Sequence, residues 1–347
     1  MSTIDTISDL LTFSGSQFRI YDIGRRIDKI SKTDFEKIEQ CQLPYPYPLQ
    51  GHAHLACAFW QKNAKAPYIW FIKLPLDERG LLNQGARNHF IAIIVEALGN
   101  DLTVDPTEQQ EELLKSNPYH FTPAQYKLAS LNAKLNVELK QSASSYYEHT
   151  QLYFSGELGW HDWQSVGVQG IADFAARLKD KENEQSLVKA IPQLPMQVFS
   201  VLASALENEH LSLASIDALI SRYKNAQSLE EKQHAMRALA SSTEHPHVID
   251  LISSLLNSEE NHEATTAELL IIISGRCWQT LASEKNMILY LENLAKLNDT
   301  NLFGAIFKDM VSIPLLRPIV LMSIRSENRS EMLSKAIGTL FNRANSH

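Results

Sequence analysis

The sequence predicts an α+β N-terminal module followed by an all-α domain of stacked antiparallel helices, either a HEAT/TPR-like solenoid or an irregular bundle. Three observations predict it. Aromatic and β-branched runs broken by prolines fill the chain up to about residue 160, and amphipathic helical stretches follow one another beyond it. Helix pairs begin near 196, 229, 265, 302 and 331, a spacing of roughly 30–37 residues that suits stacked hairpins. The 347 residues, 44% of them hydrophobic, suffice for two ordinary cores. The expected division is an α+β domain over 1–155, a Gly/Trp-rich junction over 156–170, and a helical-repeat-like domain over 171–347. No repeat consensus is visible, so the repeat rests on spacing alone.

The elements follow in order. Residues 3–14 read as a short helix. Gln17 to Ile23 alternates as a strand, with Phe18 and Ile20 on one face and Arg19 and Tyr21 on the other. Thr33 and Glu36 fit a capping box, so a helix is expected to about Gln40. Prolines 44, 46 and 48 then forbid a central strand. His54–Gln61 and Tyr68–Leu74 read as a hairpin in which Leu55, Cys57 and Phe59 share a face, although the alanines of the first segment also allow a helix. Ala86, Phe90, Ile94 and Leu98 repeat every fourth residue, and Gly99 stops that helix. Residues 100–118 read as a loop or a weak helix from Thr107. Thr122, Pro123 and Gln125 form a helix start, with Leu128, Leu131, Leu135 and Leu139 as its stripe. Ser144 to Phe154 is rich in β-formers and is expected to return to strand. Helices are then expected from near Val168, Gln185, Met196, Ser212, Leu229, His247, Thr265, Lys285, Leu302, Leu315 and Glu331. Ser228 and Glu231 make a capping box, and Met332, Leu333, Ala336, Ile337, Leu340 and Phe341 define the face of the last helix.

Composition narrows the function classes. A net charge of −8 with 21% charged residues argues against coating nucleic acid or an anionic membrane. Three widely spaced cysteines, Cys41, Cys57 and Cys277, without a CxxC, argue against a disulfide framework or structural zinc. The acidic N-terminus lacks a secretory n-region, and no apolar run reaches the ~18 residues that span a bilayer. A cytoplasmic protein is expected.

Three stretches carry a family likeness: FRIYDIGRRIDKIS (18–31), PYPYPLQ (44–50) and WFIKLPLDERGLL (70–82). With them the whole chain resembles an uncharacterised family of about this length from gamma-proteobacteria, a domain-of-unknown-function family. The resemblance implies a cytosolic bacterial setting and brings no activity, cofactor or catalytic residue.

Several constellations are candidate sites. Asp77, Glu78, Arg79 and Gly80 follow a strand, and Gly85 and Arg87 open a helix, which is the layout of a phosphate loop. Ala86 and Arg87 stand where that loop needs Lys and Ser/Thr, and Asp77 and Glu78 repel an anion. The better reading is a turn and helix start, with the acid-acid-Arg cluster as a contact surface. Arg25 and Arg26 follow a strand and Gly24 and suit a carboxylate or phosphate, although ion pairs with Asp22 and Asp28 compete. The candidate binding surface is therefore Arg25, Arg26, Asp77, Glu78, Arg79 and Arg87.

The histidine pairs His52/His54 and His245/His247 lack a third ligand at diagnostic spacing, so no metal is expected. No cofactor is expected either. GxSxG is absent, and Cys57 and Cys277 lie in apolar runs. Residues 301–347 carry six basic residues against three acidic ones, which makes Lys335 and Arg343 candidate contacts for an acidic partner. Aromatics do not interleave with these bases, so nucleic acid is the weaker partner. The sequence thus favours a non-enzymatic interaction or scaffold protein with an unidentified protein partner and no membrane. The rival is a small-molecule binder or enzyme with its site in the N-terminal module.

Overall fold

The structure, a computed structural model, describes residues 4–62, 66–99, 102, 107–257 and 265–344, with the side chains of Lys115, Arg343 and Ala344 outside that description. The chain divides into two compact units: Met1–Pro123 with Ser312–Pro314, and Ala124–Val311 with Leu315–His347. An α+β module precedes a long run of helices, as expected.

The first unit is built on a four-stranded antiparallel sheet in the order β2-β1-β3-β4, with β1 (Gln17–Asp22), β2 (Asp28–Ile30), β3 (His52–Trp60) and β4 (Tyr68–Pro75). Its helices are α1 (Ile7–Phe13), α2 (Lys32–Glu39), α3 (Gln84–Leu98) and α4 (Glu108–Lys115). Alternation along each strand sends Phe18, Ile20, Leu55, Cys57, Phe59, Ile72 and Leu74 to one face. There they join Leu10 and Leu11 of α1, Phe35 and Ile38 of α2, and Phe90 and Ile94 of α3 in a single core. The register puts Ile20 opposite Cys57, and Cys57 opposite Trp70. β2 was not foreseen; three residues are too few to show a period. The cap of α2 is Ser31, not Thr33: its hydroxyl accepts the Asp34 N–H at 3.0 Å. Thr107 does cap α4, through a reciprocal capping box with Gln110.

The second unit holds α5 (Gln125–Glu138), α6 (Tyr147–Ser155), α7 (Val168–Ala175), α8 (Lys181–Ala190), α9 (Met196–Leu206), α10 (Leu213–Asn225), α11 (Leu229–Ala238), α12 (Pro246–Asn257), α13 (Ala267–Arg276), α14 (Glu284–Lys296), α15 (Thr300–Ser312), α16 (Arg317–Ser323) and α17 (Glu331–Ala344). They pack in two rows. In one, α5, α7, α9, α11 and α13 each lie against the next; in the other, α6, α8, α10, α12 and α14 do the same. α14 then packs on α16 and α17.

Polar staples run along these rows and between them. Buried Arg222 of α10 donates to the carbonyls of Ile191 and Leu194 (2.9 Å to the latter), pairs with Glu231 at 2.9 Å, and lies 3.7 Å over the Phe199 ring. Glu207, at the end of α9, takes a two-pronged contact from Arg237 of α11 at 2.6 and 2.7 Å, and a third bond from Arg276 of α13 at 3.1 Å.

Two expectations are corrected here. Residues 144–154 are not a strand: α6 buries Thr150, Tyr153 and Phe154, a three-then-four spacing that is helical whatever the β-propensity of the residues. Thr122 does not cap α5, which starts two residues later behind Ala124 with no side-chain cap. The compact units change over at Pro123–Ala124, where the expected division has its first boundary at 155. α5 and α6 pack against α7, α8 and α9, so the glycine-rich stretch 156–170 is a connection inside the helical unit. Small residues make that packing close. Ala129 and Ala133 of α5 meet Ala172 of α7, and the Phe154 ring of α6 stacks on Phe174 of α7 at 4.2 Å.

Candidate functional site

The sheet unit holds most of the charged residues singled out from the sequence. At the β1–β2 turn, Asp22 is fully buried and Arg25 and Arg26 are nearly so. Asp22 accepts the Tyr45 hydroxyl at 2.5 Å and the Arg25 backbone N–H at 3.2 Å. Arg25 Nε donates to the Pro48 carbonyl at 2.9 Å, and Arg26 Nε pairs with Asp28 at 3.3 Å. A Cβ at Gly24 would lie 3.3 Å from His54 Cβ and 3.4 Å from Asp22 Oδ1, a tight fit that either neighbour would have to ease. Burial, then the charges of Asp28 and Asp22, push the Tyr47 hydroxyl up to about 12. Tyr45 is raised further, by burial first and then by Asp22. These two arginines are thus enclosed among backbone carbonyls and carboxylates.

The other four candidates sit elsewhere on the same unit. Asp77 Oδ1 accepts the N–H groups of Arg79 and Leu81, both at 2.8 Å, closing the exposed turn after β4. The Leu81 N–H is the main reason this carboxyl stays below its usual range, with the Arg79 contacts adding to it against slight desolvation. Glu78 is exposed beside it. Gly80 takes φ +82°, a left-handed value that glycine adopts without strain. The first turn of α3 is occupied by its own cap, Asn83 Oδ1 accepting the Ala86 N–H at 2.9 Å. Arg87 is buried, donating to the Glu39 carbonyl and to Asn88 Oδ1. The six residues therefore do not share one surface: Arg25, Arg26 and Arg87 are interior, and Asp77, Glu78 and Arg79 form an exposed turn.

The histidine pairs are near neighbours, with ring centroids 6.3 Å apart for His52/His54 and 5.0 Å for His245/His247. His247 Nδ1 lies 2.7 Å from Asp217. Among the described residues no group of three His, Cys, Asp or Glu is placed to hold a metal ion. Cys57 and Cys277 are buried and Cys41 is half-buried, all three unbridged. Burial pushes the Cys57 thiol up, away from nucleophilic use. On α17, Lys335 is exposed and lines a small cavity of about 50 Å³ with Asp299, Phe303 and Met332. The side chain of Arg343 lies outside the described residues.

The site that sequence reasoning missed is a cavity of about 240 Å³ in the first unit, between β4, α3 and α4. β4 is the sheet edge, and a short segment covers only part of it. The Lys73 N–H donates to the Tyr119 carbonyl at 2.7 Å, and the Phe121 N–H to the Phe71 carbonyl at 3.4 Å. Pro123, two residues on, has no N–H with which to continue the pairing. By the two-residue period, the backbone of Ile69 points to the same outer edge as that of Phe71 and Lys73. Trp70, Phe90, Ile94 and Leu114 wall the cavity, with the Trp70 and Phe90 rings edge to face at 5.8 Å. Its polar lining is Glu111, Asn117 and His120. Asn117 is spoken for: its Oδ1 accepts the Tyr119 N–H at 2.9 Å. Trp70, Phe90 and Ile94 were legible as apolar positions, but nothing local signals the gap among them.

The fold and its sites define a class: a four-stranded α+β module joined to an all-helical unit, with no helix among the described residues long and apolar enough to cross a membrane. Over residues 2–341 the chain matches the family described as "Protein of unknown function (DUF3549)", and it belongs to that family. No curated protein and no solved structure matches it.

Proposed function

We propose that this is a non-enzymatic scaffold that binds another protein through its helical unit, which we read as a helical-repeat array. The observation carrying this reading is the two-row packing, in which α5 to α14 each contact the next helix of their own row. Such arrays leave long helical faces available to partners. Apolar side chains are exposed on both rows, Leu213 of α10 at 52% and Ile271 of α13 at 46%. The unbridged cysteines suit the reducing cytosol, where we place it. Lys335 and Arg343 remain the proposed contacts for an acidic partner. The test is photo-crosslinking in the native cell from a reactive residue placed at Leu213, Ile271 or Lys335. A discrete adduct of one size, weakened by Lys335→Glu with Arg343→Glu at unchanged melting temperature, supports the reading. No adduct from any position overturns it.

A second reading is favoured by one observation, the cavity of about 240 Å³ beside β4. It is that the first unit binds a small molecule, an apolar pocket with a few polar groups being the usual form of such a site.

A further inference from the structure

We infer that the cavity between β4, α3 and α4 takes a small amphipathic amine, one aromatic or branched apolar group carrying a protonated nitrogen; this rests on the small-molecule reading above. Size sets the first limit. An apolar cavity of ~150 Å³ is enough for benzene, so about 240 Å³ accommodates one ring and a short chain. The walls set the second: Trp70, Phe90, Ile94 and Leu114 offer apolar area and two π faces, which reward an apolar body and tolerate a cation.

Charge decides the class. Among the described residues that line the cavity, Glu111 is the only acid and none is Lys or Arg. Glu108 and Glu112 are exposed on the same short helix and add to its negative charge. A carboxylate ligand would meet that charge with only the His120 ring, among the described lining residues, to receive it. A protonated amine would meet Glu111, whose two oxygens together accept about four hydrogen bonds and so can serve a ligand beside any contact already made. Asn117 adds a neutral amide, whose Oδ1 already accepts the Tyr119 N–H. A peptide added along β4 is the less favoured occupant. The outer edge is already taken at Phe71 and Lys73, and an added strand would find Ile69 between that segment and the hairpin.

The experiment titrates the full-length chain by calorimetry with three probes of one shape: 2-phenylethylamine, 2-phenylethanol and 3-phenylpropanoate. The amine is expected to bind roughly tenfold more tightly than the alcohol, the worth of one charge-assisted contact, and the acid not at all. Glu111→Gln, on an exposed helix position, should bring the amine down to the alcohol's affinity while the alcohol is unchanged. Leu114→Trp, which fills the cavity, should abolish both; an unchanged circular dichroism spectrum shows that it folds. Equal or better binding of the alcohol or the acid by the parent protein overturns the amine assignment and leaves the small-molecule reading standing. No binding of any probe at millimolar concentration overturns both. An extended Phe-Lys peptide that binds where the free amine does not overturns the inference in favour of strand addition at Ile69.

Discussion

The Glu39 carboxylate closes the start of the first helix from thirty-one residues away in sequence: it accepts the Ser8 hydroxyl at 2.6 Å, and with it the backbone N–H groups of Ser8 at 3.1 Å and Ile7 at 2.6 Å. Thr6 caps the same turn through the Asp9 N–H at 3.0 Å. Burial pushes the Glu39 carboxyl up, outweighing the three hydrogen bonds and the Arg87 charge that pull it down. An acid raised in the folded state binds its proton more tightly there than in the unfolded chain. Its contribution is full below about 4.5 and is lost as the pH rises through the raised value. Glu39→Gln should therefore flatten the dependence of stability on pH just above 4.5, measured by urea denaturation at several pH values. Glu39→Ala should cost roughly 1–3 kcal/mol at neutral pH, because it strands buried donors.

Gly170 sits where α7 crosses α6, and a Cβ there would lie 2.2 Å from Thr150 Oγ1 and 3.1 Å from the Tyr146 carbonyl. Gly170→Ala should cost roughly 1–3 kcal/mol by overpacking. Thr150→Ala removes the nearer obstacle, so the double variant should lose less than the two single losses added together. Chemical denaturation of the four proteins reads this coupling, and simple additivity would show that the Thr150 side chain is not what Gly170 avoids.

The two arginines on Glu207 are unequal. Arg237 holds both carboxylate oxygens, at 2.6 and 2.7 Å, while Arg276 reaches one at 3.1 Å. Arg237→Ala leaves a nearly buried carboxylate short of its main partner and should cost roughly 3–5 kcal/mol. Arg276→Ala should cost about 1 kcal/mol, the net worth of one hydrogen bond. Melting temperatures in the order parent, Arg276→Ala, Arg237→Ala are expected.

Leu333 is fully buried on α17, whereas Met332 and Phe341 of the same helix are about half exposed. Leu333→Ala should cost roughly 2–5 kcal/mol and Leu340→Ala, only half-buried, less than about 2 kcal/mol. Equal losses would mean that the helix packs more symmetrically than its burial shows.

A fragment spanning 124–347 should melt cooperatively, and one spanning 171–347 should melt at lower temperature with a broader transition. The shorter piece loses the Ala129 and Ala133 contacts with α7 and the 4.2 Å stacking of Phe154 on Phe174. Circular dichroism melts of both fragments check this.

Some local signals are legible in the sequence, and partners distant along the chain are not. Ser212 and Ser228 cap α10 and α11, and those helices begin next to the residues that announced them. α8 was expected from near Gln185 but begins at Lys181; Asp180 caps it, and the polar run that follows carries no apolar onset to mark it. Tyr147, Thr150 and Phe154 misled because β-propensity is weaker than the packing that α7 and α8 impose. Arg25 and Arg26 looked like ligand groups because sequence cannot show that the Pro48 carbonyl, twenty-three residues on, receives one of them. Nothing local in the sequence marks Glu111; only the docking of α4 beside Trp70 and Phe90 gives it a cavity to line.

The two-row packing also bears on how the chain acquires its structure. Along each row a helix rests on the neighbour one hairpin earlier or later, so most of these contacts close loops of a few dozen residues. Low sequence separation favours rapid folding. Each hairpin emerging from the ribosome would find the previous one already in place as its template, and assembly would follow the direction of synthesis. The bonds of Arg222 to Ile191 and Leu194 join segments about thirty residues apart, so each such staple can lock while the next hairpin is still being translated.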